Sequence, residues 1–163
     1  AVELEALKVA VWEGDARWLG AALEGGRLRV ASLSIPGVVP SSELLRGLAV
    51  AFVSSLTSLD LTETKLETSG SAALAAALQH AQGRMHLASL TLRQCNITPD
   101  GIGHLAGPLA NLVTLRTLDL SSNPLVHRGA SAVIDAFRAA RARAAAPLHH
   151  GYSGPALQDF GIV

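Results

Sequence analysis

The chain has 163 residues, is 49% hydrophobic and 16% charged, and balances 13 Lys+Arg against 13 Asp+Glu. That length suits one domain with a sizeable core, and the balanced charge offers no field to draw in DNA, RNA or an anionic membrane surface. Arg46 interrupts the most apolar run before it reaches the roughly 18 residues of a membrane span, and the single cysteine, Cys95, excludes an internal disulfide and favours a reducing compartment.

A triplet of aliphatic positions recurs along the chain. It falls at Leu4-Leu7-Val9, Val30-Leu33-Ile35, Leu56-Leu59-Leu61, Leu87-Leu90-Leu92 and Leu115-Leu118-Leu120, and more loosely at Leu157-Phe160-Ile162. Starts lie 26, 26, 31, 28 and 42 residues apart. The last two positions of each triplet share one face of a short strand, and the interval leaves room for one helix and two turns. Such a period describes a stack of strand–helix units.

Between the strands, helices follow in order. Asp15 caps one running to Glu24, with Leu19 and Leu23 inward and Gly25-Gly26 at its end. A second, about Leu44 to Val53, buries Leu44, Leu48 and Phe52. Ser69 or Ser71 opens a third, with Leu74 and Leu78 inward and Gly83 closing it. Thr98-Pro99-Asp100 starts a fourth as cap, first-turn proline and favourably placed acid, and Pro108 kinks it or stops it early. The fifth runs from about Ala130 to Ala146, buries Val133 and Phe137, and ends at Pro147.

The central repeats carry a longer pattern. From Leu56 and Leu115 it reads L-x-x-L-x-L-x-x-[T/N]-x-L-x-x-x-G, and from Leu87 L-x-x-L-x-L-x-x-C-x-I-x-x-x-G, ending at Gly70, Gly129 and Gly101. This resembles the leucine-rich repeat family, in its long, ribonuclease-inhibitor-like subclass. The likeness covers nearly the whole chain and is strict over 56–129. Repeats 1 and 2 place Trp12 and Val38 in the Asn/Cys slot, so the turns after those strands are expected to be irregular. The resemblance implies an α/β fold: a right-handed solenoid bent into a horseshoe arc, with one parallel sheet on the concave side and helices on the convex side. One domain spans 1–163, with repeats near 4, 30, 56, 87 and 115 and a degenerate sixth near 157, reached by a long irregular connection through His149 to Pro155. Neither end has a polar capping repeat, which reads as a piece of a longer array or as ends covered by a partner.

Residues in the slot have a structural turn role. Asn123 bonds exposed turn backbone, Cys95 sits there as a small buried thiol, and Thr64 as a hydroxyl. Chemistry-bearing motifs are sparse. Gly101-Ile102-Gly103 reads as a turn and helix start rather than a phosphate cradle. His149-His150 has no third metal ligand nearby, and Gly151-Tyr152-Ser153-Gly154 lacks the nucleophile-elbow spacing. The sequon Asn96-Ile97-Thr98 is discounted because Ile97 belongs in the core and Pro99 follows. Arg138, Arg141 and Arg143 suit the negative end of the fifth helix better than a phosphate site.

What remains is the strand face turned away from the core. Asp60, Thr91 and Asp119 stand in one row and Thr62, Arg93 and Ser121 in the next, with Glu63 and Gln94 beside them, and Arg93 within reach of Asp60, Glu63 or Asp119. The cluster Asp60, Glu63, Thr91, Arg93, Gln94 and Asp119 is the candidate protein-binding site, on the concave face the family commonly uses. The expected function is a non-catalytic interaction module or scaffold that binds a partner protein through the concave face or the end strands, with no metal, no cofactor, no nucleic acid and no membrane insertion. Protein partners, membership of a multi-protein complex and an intracellular, cytoplasmic location are expected. Alternatives are a structural subunit of a cytoskeletal or axonemal (cilium) assembly, and an enzyme regulator of the GTPase-activating kind, which relies on a positioned arginine.

Overall fold

The computed structural model describes residues 2–8, 16–81, 83–145 and 159–161. Strands β1 (Val2–Lys8), β2 (Leu28–Ser34), β3 (Ser58–Asp60), β4 (Ser89–Thr91), β5 (Thr117–Asp119) and β6 (Asp159–Gly161) form one sheet in chain order. Each neighbouring pair is parallel. Helices α1 (Arg17–Glu24), α2 (Ser42–Ser54), α3 (Glu67–His80), α4 (Pro99–Ala110) and α5 (Val126–Ala145) lie between successive strands in sequence. The fold is α/β with a parallel sheet. The register aligns Leu7, Leu33, Leu59, Leu90 and Leu118 in one row, and continues it at Phe160 of β6. Val9, Ala10, Trp12, Asp15, Pro147, His149, His150, the 151–155 segment, Leu157 and Ile162 lie outside the described residues. So does the Arg143 side chain.

Core formation follows the triplets. Leu59, Leu61, Leu90, Leu92, Leu118 and Leu120 are buried, together with Leu19, Leu44, Leu48, Phe52, Leu74, Leu78, Leu105 and Val133 from the helices, in one cluster. Phe137 is half-buried and packs against it. Strand residues of opposite parity stay half-exposed, so the helices cover one face of the sheet.

Helix boundaries show where local signals were overruled. Ala16 precedes α1 and supplies no side-chain cap. Ser41 caps α2 by accepting from the Leu44 N–H at 3.1 Å, and Thr98 caps α4 by accepting from Gly101 N at 3.1 Å, with Pro99 in the first turn. Neither Ser69 nor Ser71 opens α3. That helix begins at Glu67, where Gly70 N donates to Leu66 O at 2.8 Å, and the Ser71 hydroxyl bonds back to the Glu67 carbonyl. α5 starts the same way, with Gly129 N donating to Leu125 O at 3.0 Å, and so begins at Val126 rather than Ala130. Gly83 stands beyond the end of α3 at His80. Pro108 does not stop α4, which continues to Ala110. It falls in the last turn, and the bond it forfeits would run to the carbonyl of exposed His104, which water can reach.

The turn leaving β2, β3, β4 and β5 is repeated closely. Gly37, Glu63, Gln94 and Ser122 occupy equivalent positions and share φ of 72, 62, 58 and 57°. Three of them donate their N–H to the next repeat: Gly37 to Thr62 O, Glu63 to Arg93 O and Gln94 to Ser121 O. The turn after β2 is therefore regular here, contrary to expectation, because a left-handed residue rather than the slot side chain sets it. Non-glycine residues pay about 1–2 kcal/mol in this region. Gln94→Gly is therefore expected to raise the unfolding free energy by up to about 1 kcal/mol, after the entropy of the added glycine, in a denaturant titration.

Candidate functional site

The repeat slot is built from backbone outward. Asn123 Nδ2 donates to Leu92 O at 2.7 Å and Leu120 O at 2.9 Å, and Oδ1 accepts from Cys95 N at 2.9 Å and Ile97 N at 3.0 Å. One side chain thus ties its own turn to that of the preceding repeat. Cys95 Sγ reproduces one contact, donating to Leu61 O at 3.0 Å, the equivalent of Leu92 O. Thr64 is fully buried, and its hydroxyl has no hydrogen-bond partner. Asn123 uses two N–H groups of the preceding repeat; their counterparts below Thr64 are Val38 and Pro40, and Pro40 has none to give.

Burial pushes the Cys95 thiol up to about 12, with the carboxylates of Asp60 and Asp119 adding to the rise. The reactive thiolate is therefore scarce near neutrality. In the native chain Cys95 should resist alkylation by iodoacetamide at pH 8 and react at the rate of a free thiol once unfolded, a difference mass spectrometry reads directly.

The strand-side face has a floor of short polar side chains. Ser32, Ser58, Ser89 and Thr117 form one row, and Ser34, Asp60, Thr91 and Asp119 the next, on neighbouring rungs about 4.8 Å apart. The carboxylates here are partly spent on their own turns. Asp60 Oδ1 accepts from Thr62 N at 3.0 Å and the Thr62 hydroxyl at 2.6 Å, and Oδ2 accepts from Ser34 Oγ at 2.9 Å. Partial burial works against ionisation of Asp60, but these bonds outweigh it and hold the carboxyl below its usual range. Asp119 Oδ1 accepts from Ser121 N at 2.8 Å. Arg93, Glu63 and Gln94 are exposed above this floor. No ion pair joins Arg93 to Asp60, Glu63 or Asp119 among the described residues, against the sequence expectation. The structure thus brings the six candidate residues to one face but ties Asp60 and Asp119 inward and leaves Arg93 outward.

Residues 111–133 match a family model described as Leucine Rich repeat. The segment spans β5, the Asn123 slot and the start of α5. The match supports a leucine-rich repeat protein, and leucine-rich repeats commonly mediate protein–protein interaction. Comparison with curated proteins returns no match. The sequence pattern did not explain its closing glycine, and the packing does. A Cβ on Gly101 would stand 3.0 Å from Ser71 Oγ, and one on Gly129 3.1 Å from Ile102 Cγ2. Gly101 therefore serves contact between α4 and α3 rather than a phosphate. The Asn96 sequon is locked similarly, with Ile97 buried and Thr98 engaged as a cap.

Sequence reasoning missed an apolar groove of about 510 Å³ on the helical side, lined among others by Leu45, Ala49, Val50, Ala73 and Ala77. Its only signal was the alanine content of α3. Among the described residues no three His, Cys, Asp or Glu side chains are grouped to hold a metal ion, and no described helix is long and apolar enough to cross a membrane.

Proposed function

We propose that this chain is a non-catalytic protein-interaction module. In this reading it is a right-handed leucine-rich repeat solenoid of the ribonuclease-inhibitor-like kind, its sheet lining the inner side of an arc, and it holds a partner protein on that face. The observation that carries the reading is Arg93, exposed and unpaired among the described residues, over a floor of Ser and Thr small enough to admit a partner closely. Arginine is enriched among residues that dominate binding energy. Glu63, Gln94 and Thr91 add hydrogen-bonding capacity around it, while Asp60 and Asp119 stiffen the turns that present it. A preformed surface of this sort lowers the ordering cost of association. The inert Cys95 thiol and the turn-bound carboxylates fit a chain that performs no chemistry. The fixed turns on either side of Arg93 fit a static contact better than a mobile arginine finger of a GTPase activator. Work within an intracellular multi-protein complex completes the reading.

The test is affinity capture with the full-length protein, identification of the partner, and titration against variants. Arg93→Glu should weaken binding by about tenfold or more with an unchanged melting temperature. Binding that survives Arg93→Glu but falls with Arg138→Glu and Arg141→Glu places the contact on α5 and overturns the site. Turnover of a substrate by the purified chain overturns the non-catalytic reading.

A further inference from the structure

The junction between the second and third repeats lacks what holds the later ones together. In the slot, Asn123 ties the fifth repeat to the fourth through Cys95 N, Ile97 N and Leu92 O, and Cys95 ties the fourth to the third through Leu61 O. Thr64, next in the column, is fully buried with an unpartnered hydroxyl. Pro40, across the junction, has no N–H to offer. A buried hydroxyl without a partner weighs against the closed arrangement.

The helix layer is loose at the same place. A Cβ on Gly47 of α2 would stand 2.7 Å from Gly20 Cα of α1, one on Gly101 of α4 3.0 Å from Ser71 Oγ of α3, and one on Gly129 of α5 3.1 Å from Ile102 Cγ2 of α4. Gly70 of α3 holds the same place in its repeat as Gly101 and Gly129, yet the atoms nearest its Cβ site belong to Pro40 and Leu66, not to α2. The apolar groove of about 510 Å³ lies along this seam, between Leu45, Ala49 and Val50 of α2 and Ala73 and Ala77 of α3. Beyond the end of α3, His86 N reaches Phe52 O of α2 at 3.4 Å, past the usual range for such a bond. The sheet does cross the junction, with Ser32, Leu33 and Ser34 in register with Ser58, Leu59 and Asp60.

We propose that this junction is a hinge built into the array, with α1, β2 and α2 moving as one unit and β3 through α5 as the other. The units part and close at the turn after β2 and along the groove, while each keeps its own helices. Opening here breaks no slot bond and no close glycine contact, and it lets water reach the Thr64 hydroxyl. Motion of two packed units about a thin connection is an ordinary form of conformational change, and local opening starts where apolar contact is least. Because Asp60 Oδ2 accepts from Ser34 Oγ across the hinge at 2.9 Å, its movement also reshapes the strand-side face.

Native-state amide hydrogen exchange of the full chain, read residue by residue by NMR, tests the hinge. Ile35 N and Gly37 N donate across it to Asp60 O and Thr62 O at 2.9 Å. Leu61 N and Glu63 N make the same bonds at the next junction, both at 2.9 Å, and Leu92 N and Gln94 N at the one after, at 2.8 and 3.0 Å. Bond geometry alone therefore predicts equal protection. The hinge predicts protection factors for Ile35 and Gly37 lower by about tenfold or more, with Leu48 and Phe52 inside α2 exchanging as slowly as Leu105 and Ala106 inside α4. Ala73→Leu, at an exposed position lining the groove, should fill the seam and raise the protection of Ile35 and Gly37. Thr64→Val, which replaces the unpaired hydroxyl with a methyl group, should do the same from the turn side. Equal protection at the three junctions overturns the inference, as does low protection that neither substitution raises. Exchange of Leu48 and Phe52 as fast as that of Ile35 and Gly37 overturns it too, since that end would then unfold as a whole instead of swinging.

Discussion

Asn123→Ala is expected to lower the unfolding free energy by about 3 kcal/mol, the sum of two or three buried backbone groups left unsatisfied at about 1–3 kcal/mol each, reduced by partial access to water. The groups are Cys95 N, Ile97 N and Leu92 O, all bonded at 3.0 Å or less by this one side chain. Its loss should loosen two successive turns together. Asn123→Asp separates donors from acceptors. The carboxylate keeps the bonds from Cys95 N and Ile97 N but faces the carbonyls of Leu92 and Leu120. Repulsion there raises its folded pKa, so the variant should regain stability as pH falls through that value. Cys95→Ser should cost less, since only the weak thiol bonds to Leu61 O at 3.0 Å and Arg93 O at 3.4 Å are at stake and a hydroxyl can replace them. Equilibrium urea unfolding of the three variants at two pH values checks the order.

Gly47→Ala should cost about 2 kcal/mol net. The helix gains about 1 kcal/mol from alanine's higher propensity. Against this, the new Cβ would meet the Gly20 carbonyl oxygen and stand 2.7 Å from Gly20 Cα and 2.9 Å from its carbonyl carbon. Those atoms are backbone and cannot rotate aside, so α1 and α2 must separate, at the upper end of the 1–3 kcal/mol typical of overpacking or beyond it. The melting temperature should fall by roughly 5 °C for a domain of this size. Gly103→Ala is the control. It lies in α4 with nothing within 4 Å of its Cβ site, so the same substitution there should stabilise by about 0.5–1 kcal/mol. Equal effects at both positions would show that the α1–α2 contact is not as close as described.

Sequence periodicity located the inward leucines because burial on one face of a strand leaves a direct trace in spacing. Thr98-Pro99 marked the start of α4 because cap chemistry is local. The start of α3 was misplaced for the opposite reason: Ser69 and Ser71 look like caps, yet the preceding turn already supplies the first backbone bond, from Gly70 to Leu66. The regular turn after β2 leaves no mark at Val38 in the slot, because its conformation is set one residue earlier by Gly37. At the candidate site the row of Asp60, Thr91 and Asp119 was legible from alternation alone. The direction of the bonds was not: Thr62 and Ser34 claim Asp60, and Ser121 claims Asp119, contacts at two-residue and cross-strand range that compete with Arg93. The glycine contact between α1 and α2 leaves no periodic mark, since it depends on how two helices cross.

Hydrogen exchange of the full-length protein with and without its captured partner tests the central claim most directly. Binding on the strand-side face predicts added protection over 58–63, 89–94 and 117–122, with the exposed sides of α2, α3 and α4 unchanged. Protection confined to the helices, with those three turns exchanging as in the free protein, would contradict it.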